Sequence, residues 1–575
     1  MKITIDDKTI ETDNTTILEV AENNGIRIPT LCHLNLHNIK NVNNASRCRI
    51  CMVEVEGKRN LIPACSTNVT ENMVIKTSTE RVVKARKTVL ELILSAHHKK
   101  CPTCYKDGSC ELQDLDIELN GIDNRFEGKK NEYEKDKSSL SFIRNPNKCI
   151  LCGRCETMCN NFQTVGVYSR INRGFNTIMS TAFEKPVIDT VCTFCGQCVS
   201  VCPTAALREV DNTKEVLDIL KDKSKYVIVQ TAPAVRVALG EAFGLKPGTN
   251  VTGKMVEALK LLGFKKVFDT NFAADLTVME ETQEFINRLQ KGTLPILTSC
   301  CPAWVRFIEY QFPELLDIPS TCKSPHEMFG SIAKSYLAEK LKVKPEDMVV
   351  VSIMPCIAKK HEAARSELTH NGIKDVDYVL STRELSKMLK TKEIDFINLK
   401  GAGFDSTLGE SSGAAAIFGV TGGVIEAVVR NASYILDNEE INVDFKELRG
   451  MEGIREAKVK IAGKNLNIAI AHGLKNAREL LEAIRDGKKD YQAIEIMACP
   501  SGCIGGGGQP YYLKNDKEIL SLRAAGIYNI DDNKTKRISS LNSEIQILYK
   551  EFLGEPGSEK AHDLLHTTYQ KRKID

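Results

Sequence analysis

MACPSGCIGGGGQP, residues 497–510, sets Cys499 and Cys503 beside glycines 505–508. A disulfide does not require the glycines, and a turn does not require the thiols. Together they describe bare backbone drawn up to something bulky held by sulfur. The stretch grows out of AIEIMA (493–498), a short apolar run of strand type. Two more such runs end in cysteine: LPILTS (294–299) leads into Cys300 and Cys301, and VVVSIMP (349–355) into Cys356. Open α/β sheets bind ligands beyond the carboxyl ends of their strands, so these thiols stand where a site belongs.

The surrounding text supports such sheets. YVIVQ (226–230), KVFDT (266–270), VDYVLS (376–381) and NIAIAHG (467–473) are further strand-type runs. They alternate with the helical patterns ADLTVMEETQEFINRLQK (274–291), STRELSKMLK (381–390) and NARELLEAIRDG (476–487). Ser381 and Glu384 form a capping box at the start of the second. Strands alternating with helices predict a large α/β domain of parallel sheets over residues 210–575.

The chain has 575 residues, enough for several domains. Its 78 Lys and Arg nearly balance 75 Asp and Glu, so no basic footprint suggests nucleic acid. The most apolar stretch, GAAAIFGVTGGVIEAVV (413–429), is interrupted by Glu426. No segment reaches the ~20 apolar residues of a membrane helix. The opening MKITIDDKTIE alternates like a strand and has no signal-peptide core, which predicts a soluble cytoplasmic protein. In that reducing setting the 21 cysteines read as metal ligands or catalytic groups.

NKCILCGRCETMC (147–159) spaces Cys149, Cys152, Cys155 and Cys159 as C-x2-C-x2-C-x3-C. VCTFCGQCVSVCP (191–203) repeats the spacing with Cys192, Cys195, Cys198 and Cys202. In this two-cluster ferredoxin pattern the fourth cysteine of each run serves the other cluster. One 4Fe–4S cluster is therefore expected on Cys149, Cys152, Cys155 and Cys202, the other on Cys192, Cys195, Cys198 and Cys159, within a ferredoxin-like domain at 127–209. Upstream, Cys32, Cys48, Cys51 and Cys65 follow TTILEVAENNG (15–25), a helix with a Thr16–Glu19 capping box and Gly25 as its stop. With KITI and MVEVEG as strands, residues 1–78 suggest a 2Fe–2S ferredoxin fold; zinc is the alternative. Between them, AHHKKCPTCYKDGSC (96–110) offers Cys101, Cys104 and Cys110. A fourth ligand from His97, His98 or elsewhere would make residues 79–126 a 4Fe–4S module or a Cys3His zinc site. Residues 1–209 thus read as a wire of clusters in series. Cys322 reads as a structural cysteine.

LTSCCPAW (297–304), IMPCIAKK (353–360) and EIMACPSGCIGGGGQP (495–510) closely resemble the three signatures of the iron-only (FeFe) hydrogenases. The modules before them, and the tail EPGSEKAHDLLHTTY (555–569), resemble the clostridial multi-cluster form along essentially the whole chain. The resemblance implies one 2Fe–2S cluster, three accessory 4Fe–4S clusters and an H-cluster. That H-cluster is a cube on Cys301, Cys356, Cys499 and Cys503, with Cys503 bridging to a di-iron unit carrying carbon monoxide, cyanide and azadithiolate. Glycines 505–508 would give this centre room. Met354 and Met497 would line its pocket, Lys359 would face a cyanide, and His97 rather than His98 would be the fourth ligand of its module. The implied reaction is 2H⁺ + 2e⁻ ⇌ H2. Cys300 would exchange protons with the bridging amine, and Glu281, Ser320, Glu284 and Arg288 would relay them. Glu281, Glu284 and Arg288 share one helical face by spacing, which by itself describes a salt-bridged surface stripe.

The expected partners are ferredoxin or flavodoxin, H2, protons and hydrogenase maturation proteins, for a monomeric chain. Ala303, Ala234 and His326 depart from residues common in the family (Gly, Ser and Gln) without touching a ligand or the relay. Two rivals remain. An electron-input subunit of the complex I or formate dehydrogenase type shares the N-terminal modules but has no reason to carry the three signatures. A hydrogenase-like assembly or sensor protein would not be expected to keep Cys300, Glu281 and Lys359.

Overall fold

In the computed structural model, which describes all residues except 14, 35–44, 120–124, 127–129, 294, 438–443, 513–515 and 574–575, the strand Met348–Met354 is buried at every position. That is the environment of an inner strand with both faces covered. Its sheet runs in the order Lys266–Asp269, Tyr226–Thr231, Met348–Met354, Tyr378–Ser381, parallel throughout. A second sheet runs Ile296–Leu297, Ala493–Met497, Lys464–His472, Ile454–Ile461. Its first three strands are parallel and the last is antiparallel. The sequence reading lacked this fourth strand. Glu456, Lys458 and Lys460 face solvent along it, the charged pattern that blunts an edge, and its apolar residues are too sparse to read as a buried run.

The helix Thr270–Lys291 starts on an Asp269 cap and ends at Gly292, whose φ of 69° suits glycine. It packs on the helices Pro325–Ile332 and Gly423–Asp437. The Ser381–Glu384 capping box forms as read.

Residues 1–78 carry a five-stranded mixed sheet, order Lys8–Glu11, Lys2–Ile5, Val74–Lys76, Met52–Val55, Ile62–Pro63. The helix Ile17–Asn23 holds its Thr16–Glu19 box. The helices Glu80–Ala96 and Glu111–Glu118 follow. The expected boundary at 126/127 borders residues 127–129, which lie outside the described residues.

In the next module the two cysteine runs repeat their backbone as well as their spacing. Leu151 and Phe194 have φ of 54° and 56°, and Gly153 and Gly196 of 80° and 77°. The Leu151 and Phe194 amides each lie 3.4 Å from the sulfur two residues earlier, Cys149 and Cys192. This module is clamped to the α/β domain. Arg306 donates to the Cys192 carbonyl (2.6 Å), Gln163 to Ala498 (2.8 Å) and Gln197 to Gly505 (3.1 Å). Among the described residues no helix is long and apolar enough to cross a membrane.

Candidate active site and cluster sites

All 21 cysteines are free thiols. In the first module Cys32 accepts from the Arg47 and Cys48 amides at 3.3 and 3.4 Å, and Cys65 from Ser46 at 3.2 Å. Hydrogen bonds from Cys48 and Cys65 hold the Cys32 thiol far below its ordinary value, and a like bond lowers Cys51. The four sulfurs therefore converge. In the second module His98 gives its ring to the Asn131 carbonyl (3.0 Å), while buried His97 keeps Nδ1 without a hydrogen-bond partner among the described residues. Burial, then nearby Lys148, lowers His97 to about 4, so its imidazole is neutral and able to ligate. Cys110 opens the helix Glu111–Glu118, and the Cys104 amide bonds the Cys101 carbonyl.

Cys149, Cys152, Cys155 and Cys202 line one cavity. Cys159, Cys192, Cys195 and Cys198 line another. Burial pushes Cys149 up to about 11 and Cys152 and Cys159 up to about 12. Buried thiolates of this kind persist only beside a cation. Enclosed sets of four, with three thiols from one run and one from the other, fit iron–sulfur cubes. Both N-terminal modules reach the first cavity. Arg47, next to Cys48, pairs with Glu156 at 2.8 Å and packs so close to Gly153 that a side chain there would strike it. Lys106, between Cys104 and Cys110, donates to the Cys202 carbonyl at 2.6 Å. The first two modules also pack on each other, with Cys48 and Cys110 against one apolar cluster.

The active-site cysteines come from both α/β sheets. Cys300, Cys301, Cys499 and Cys503 follow strands of one, and Cys356 follows the central strand of the other. Cys301 caps the helix Pro302–Gln311, with the Ala303, Trp304 and Ala498 amides toward its sulfur. Cys356, Cys499 and Cys503 are each influenced by the charge of Cys301, which places the four thiols around one centre. That donor set fits a fifth cluster. Met497 packs with Cys300 and Cys503, and Ala234 also lies in a cluster against Cys503. Met354 belongs to the core of the first sheet.

The protein itself also restricts these glycines. A side chain at Gly505 would meet the Pro500 carbonyl at 2.2 Å, at Gly506 the Pro355 carbonyl at 2.2 Å, and at Gly508 Ser381 at 2.9 Å. At Gly507 it would meet the Cys195 carbonyl at 2.5 Å and Gly196 at 2.8 Å. Protein backbone excludes these side chains, and one of the excluding segments carries a cysteine of the second cavity.

Glu281, Ser320, Glu284 and Arg288, the expected relay, lie next to one another. Glu281 is fully buried, and its carboxylate oxygens make no hydrogen bond among the described residues; the Ser299 amide and Ser320 hydroxyl are its polar neighbours. Burial, reinforced by Glu284, raises it to about 8. Ser320 donates to Glu284 at 2.8 Å, and Arg288 to the same carboxylate at 2.6 Å. Burial and Glu281 also raise the Cys300 thiol well above its ordinary value. Lys359 donates to the Cys300 carbonyl (3.0 Å) and to Glu362 (2.7 Å).

His326 bonds that same Glu362 at 2.7 Å, so this departure reaches Lys359 through one carboxylate. Ala303 is buried in its helix, and its amide lies toward the sulfur of Cys301. Sequence reasoning missed Glu362, although its i,i+3 spacing from Lys359 was visible. It also missed Thr321 and His566, which join at 2.7 Å and tie the tail to the relay segment.

Comparison with known proteins agrees with this geometry. Residues 225–507 match the family described as iron only hydrogenase large subunit, C-terminal domain, and 517–572 the iron hydrogenase small subunit. Residues 1–80 match a 2Fe-2S iron-sulfur cluster binding domain, 86–125 the NADH-ubiquinone oxidoreductase-G iron-sulfur binding region, and 148–206 a 4Fe-4S dicluster domain. The chain is 54% identical to the NADP-reducing hydrogenase subunit HndD of Solidesulfovibrio fructosivorans, over 100% of this chain and 99% of that one. It is 40% identical to iron hydrogenase 1 of Clostridium pasteurianum, over 97% and 98%. A solved variant of the [FeFe]-hydrogenase HydA1 of Chlamydomonas reinhardtii is 39% identical with a TM-score of 0.57, covering 63% of this chain and 99% of that one. The chain belongs to the FeFe hydrogenases and carries accessory iron–sulfur domains ahead of the hydrogenase domain.

Proposed function

We propose that the chain catalyses 2H⁺ + 2e⁻ ⇌ H2 at an H-cluster held by Cys301, Cys356, Cys499 and Cys503, with Cys503 as the bridging thiolate. The observation that carries this reading is the meeting of four unpaired thiols from two sheets beside a buried acid, Glu281, raised to about 8. When bound, the cluster supplies redox-active iron at which H2 forms or splits. The protein's own groups handle protons and charge. Cys300 passes a proton between the pocket and Glu281, Ser320 and Glu284 carry it outward, and Arg288 fixes the outer carboxylate. Lys359 holds positive charge over the Cys300 edge for a cyanide, and Met497 and Met354 keep the pocket apolar.

Accessory clusters on Cys32, Cys48, Cys51 and Cys65, on His97, Cys101, Cys104 and Cys110, and on the two crossed sets carry electrons. The four modules are 1–78, 79–126, 127–209 and 210–575. Cluster thiolates persist under reducing conditions, and a cytoplasmic location is part of this reading. An infrared spectrum of the matured protein tests the centre: carbonyl and cyanide bands are expected, and Cys503→Ser should abolish both bands and turnover. Normal bands and substantial H2 evolution in that variant would remove Cys503 from the bridge.

For the electron partner, ferredoxin or flavodoxin is one reading. End-to-end similarity to a protein named as an NADP-reducing hydrogenase subunit favours a second, a chain that exchanges electrons with a nicotinamide-binding partner subunit. Turnover by the purified chain with reduced ferredoxin supports the first. Turnover with NADPH only after adding co-purified subunits supports the second.

A further inference from the structure

His326 replaces a residue commonly amide-bearing in the family, and its surroundings give it work. It lies on the helix Pro325–Ile332 and is 1% exposed. Its Nε2 is 2.7 Å from Glu362 Oε2 and 2.9 Å from Glu327 Oε1. Its Nδ1 is 3.3 Å from the Ser352 hydroxyl. Gln230 donates to that hydroxyl and to the His326 carbonyl, both at 2.9 Å, and Thr270 donates to Gln230 at 2.9 Å. The ring is thus held on both sides, with the central strand Met348–Met354 as its anchor. Glu362 Oε2 is shared: it accepts from His326 and also from the Lys359 ammonium at 2.7 Å. The ammonium then reaches the Cys300 carbonyl at 3.0 Å.

We propose that His326 is a positioning residue that, through Glu362, fixes the Lys359 ammonium over the Cys300 edge of the active-site pocket. The proposal rests on the active-site reading given above.

Three arguments support it. First, geometry: one carboxylate oxygen joins the imidazole and the ammonium, so freeing the imidazole frees the carboxylate to rotate and carry Lys359 with it. Second, charge: two buried carboxylates, Glu327 and Glu362, face the ring and favour its protonated form, and because burial also raises Glu327 toward its neutral form, the counter-charge for Lys359 and the ring rests chiefly on Glu362. Burial opposes protonation, but Glu327 and Glu362 outweigh it and raise His326, while Lys359 and His326 hold Glu362 down at about 2 against its own burial. The other charged pair facing Glu327 is Lys323–Asp375, self-compensated at 2.8 Å. Third, the bland alternative fails. His326, Glu327 and Glu362 stand close enough to ligate a cation, but Glu362 Oε2 already accepts from both the Lys359 ammonium and the His326 ring. A glutamine at 326 could donate one hydrogen bond to Glu362 but could not supply the charge.

The test uses the full chain with His326→Ala, His326→Gln, Glu362→Gln and the double variant His326→Ala/Glu362→Gln. Before insertion of the di-iron unit, acylation of Lys359 by an amine reagent is followed by mass spectrometry. His326→Ala should accelerate it several-fold, and His326→Gln should restore part of the protection. After insertion, the cyanide bands should shift in His326→Ala and Glu362→Gln alike, with no further shift in the double variant. Turnover should fall by up to ~100-fold, the cost of a misplaced group about 1 Å away from its position. Unchanged Lys359 acylation, unmoved cyanide bands in His326→Ala, or additive shifts in the double variant would each overturn the proposal. Absence of carbonyl and cyanide bands in the matured wild-type protein would instead overturn the active-site reading, and this proposal with it.

Discussion

Gly507→Ala isolates the contact between the wire and the active site. An alanine Cβ there would lie 2.5 Å from the Cys195 carbonyl oxygen and 2.8 Å from the Gly196 Cα, where ordinary contact begins at 3.4 Å. The two backbones must therefore separate by about 0.9 Å, the difference between 3.4 and 2.5 Å. Neither side yields easily. Arg383 holds the Gly507 carbonyl at 2.7 Å and Glu209 of the ferredoxin-like module at 2.6 Å, and Gln197 holds Gly505 at 3.1 Å. Overpacking of this kind costs roughly 1–3 kcal/mol, spent in loosening the interface. Gly506→Ala is the matched control: its Cβ would clash at 2.2 Å with the Pro355 carbonyl inside the α/β domain. Cluster content, H2 evolution from a reduced protein donor and H2 evolution from a small strong reductant would be measured for both. Gly507→Ala should lower the protein-donor rate more than the small-reductant rate, with all clusters retained. Gly506→Ala should lower both rates together. Equal loss of both rates in Gly507→Ala, or no loss, would refute the reasoning that this backbone contact sets electron delivery.

Cys300→Ser should keep all clusters and the carbonyl spectrum yet lose nearly all turnover in both directions, and Cys300→Asp should retain more; wild-type turnover in the Ser variant would make Cys300 mere filler. Glu281, raised from 4.5 to about 8, should stay protonated through neutral pH and lose its proton as pH rises through about 8; an infrared carboxylic-acid band absent from Glu281→Gln would report it. Because the folded state binds that proton where the unfolded chain does not, wild-type stability should fall relative to Glu281→Gln as pH rises from about 5 to 8, by up to ~1.4 kcal/mol per pH unit, read by denaturant unfolding of the cluster-free protein. Deleting residues 1–125 should leave H2 evolution from a small reductant largely intact while depressing turnover with protein donors; equal use of a protein donor would place electron input elsewhere.

The cysteine runs were legible because three of every four thiols sit on one tight loop, so spacing alone describes most of each cavity. The strand ends were legible because Met348–Met354 and Ala493–Met497 are continuous apolar runs. Ile454–Ile461 was not, since an edge strand with one solvated face dilutes its own pattern. The glycines show a subtler limit. A glycine states that a side chain is excluded, but not by what, and at Gly507 the excluding atoms lie over 300 positions away, at Cys195 and Gly196. His326 and Glu362 were illegible for the same reason. Their meeting depends on the packing of two helices against the central strand, which no local pattern encodes.

Cys300 and Cys301 show why the site needs two adjacent cysteines. Cys301 packs in the cluster that contains Cys192, Cys198 and Cys356, facing the ferredoxin-like module. Cys300 packs in a different cluster, with Ala274 and Val278 of the helix that bears Glu281 and with Met497. Successive side chains on extended backbone point to opposite sides, and Cys301 has the extended φ and ψ of −97° and 106°. One residue step therefore sends the two thiols into different packing clusters, with Cys503 also packed on the Cys300 side. On the Cys301 side, Gly507 lies against the Cys195 and Gly196 backbone of the ferredoxin-like module. On the Cys300 side lie Glu281, Ser320 and Glu284, over which the tail closes through the His566–Thr321 bond at 2.7 Å and the Tyr569–Ser320 bond at 2.7 Å. Moving the Cys300 thiol one position along the chain would turn it toward the Cys301 side and away from the helix that bears Glu281.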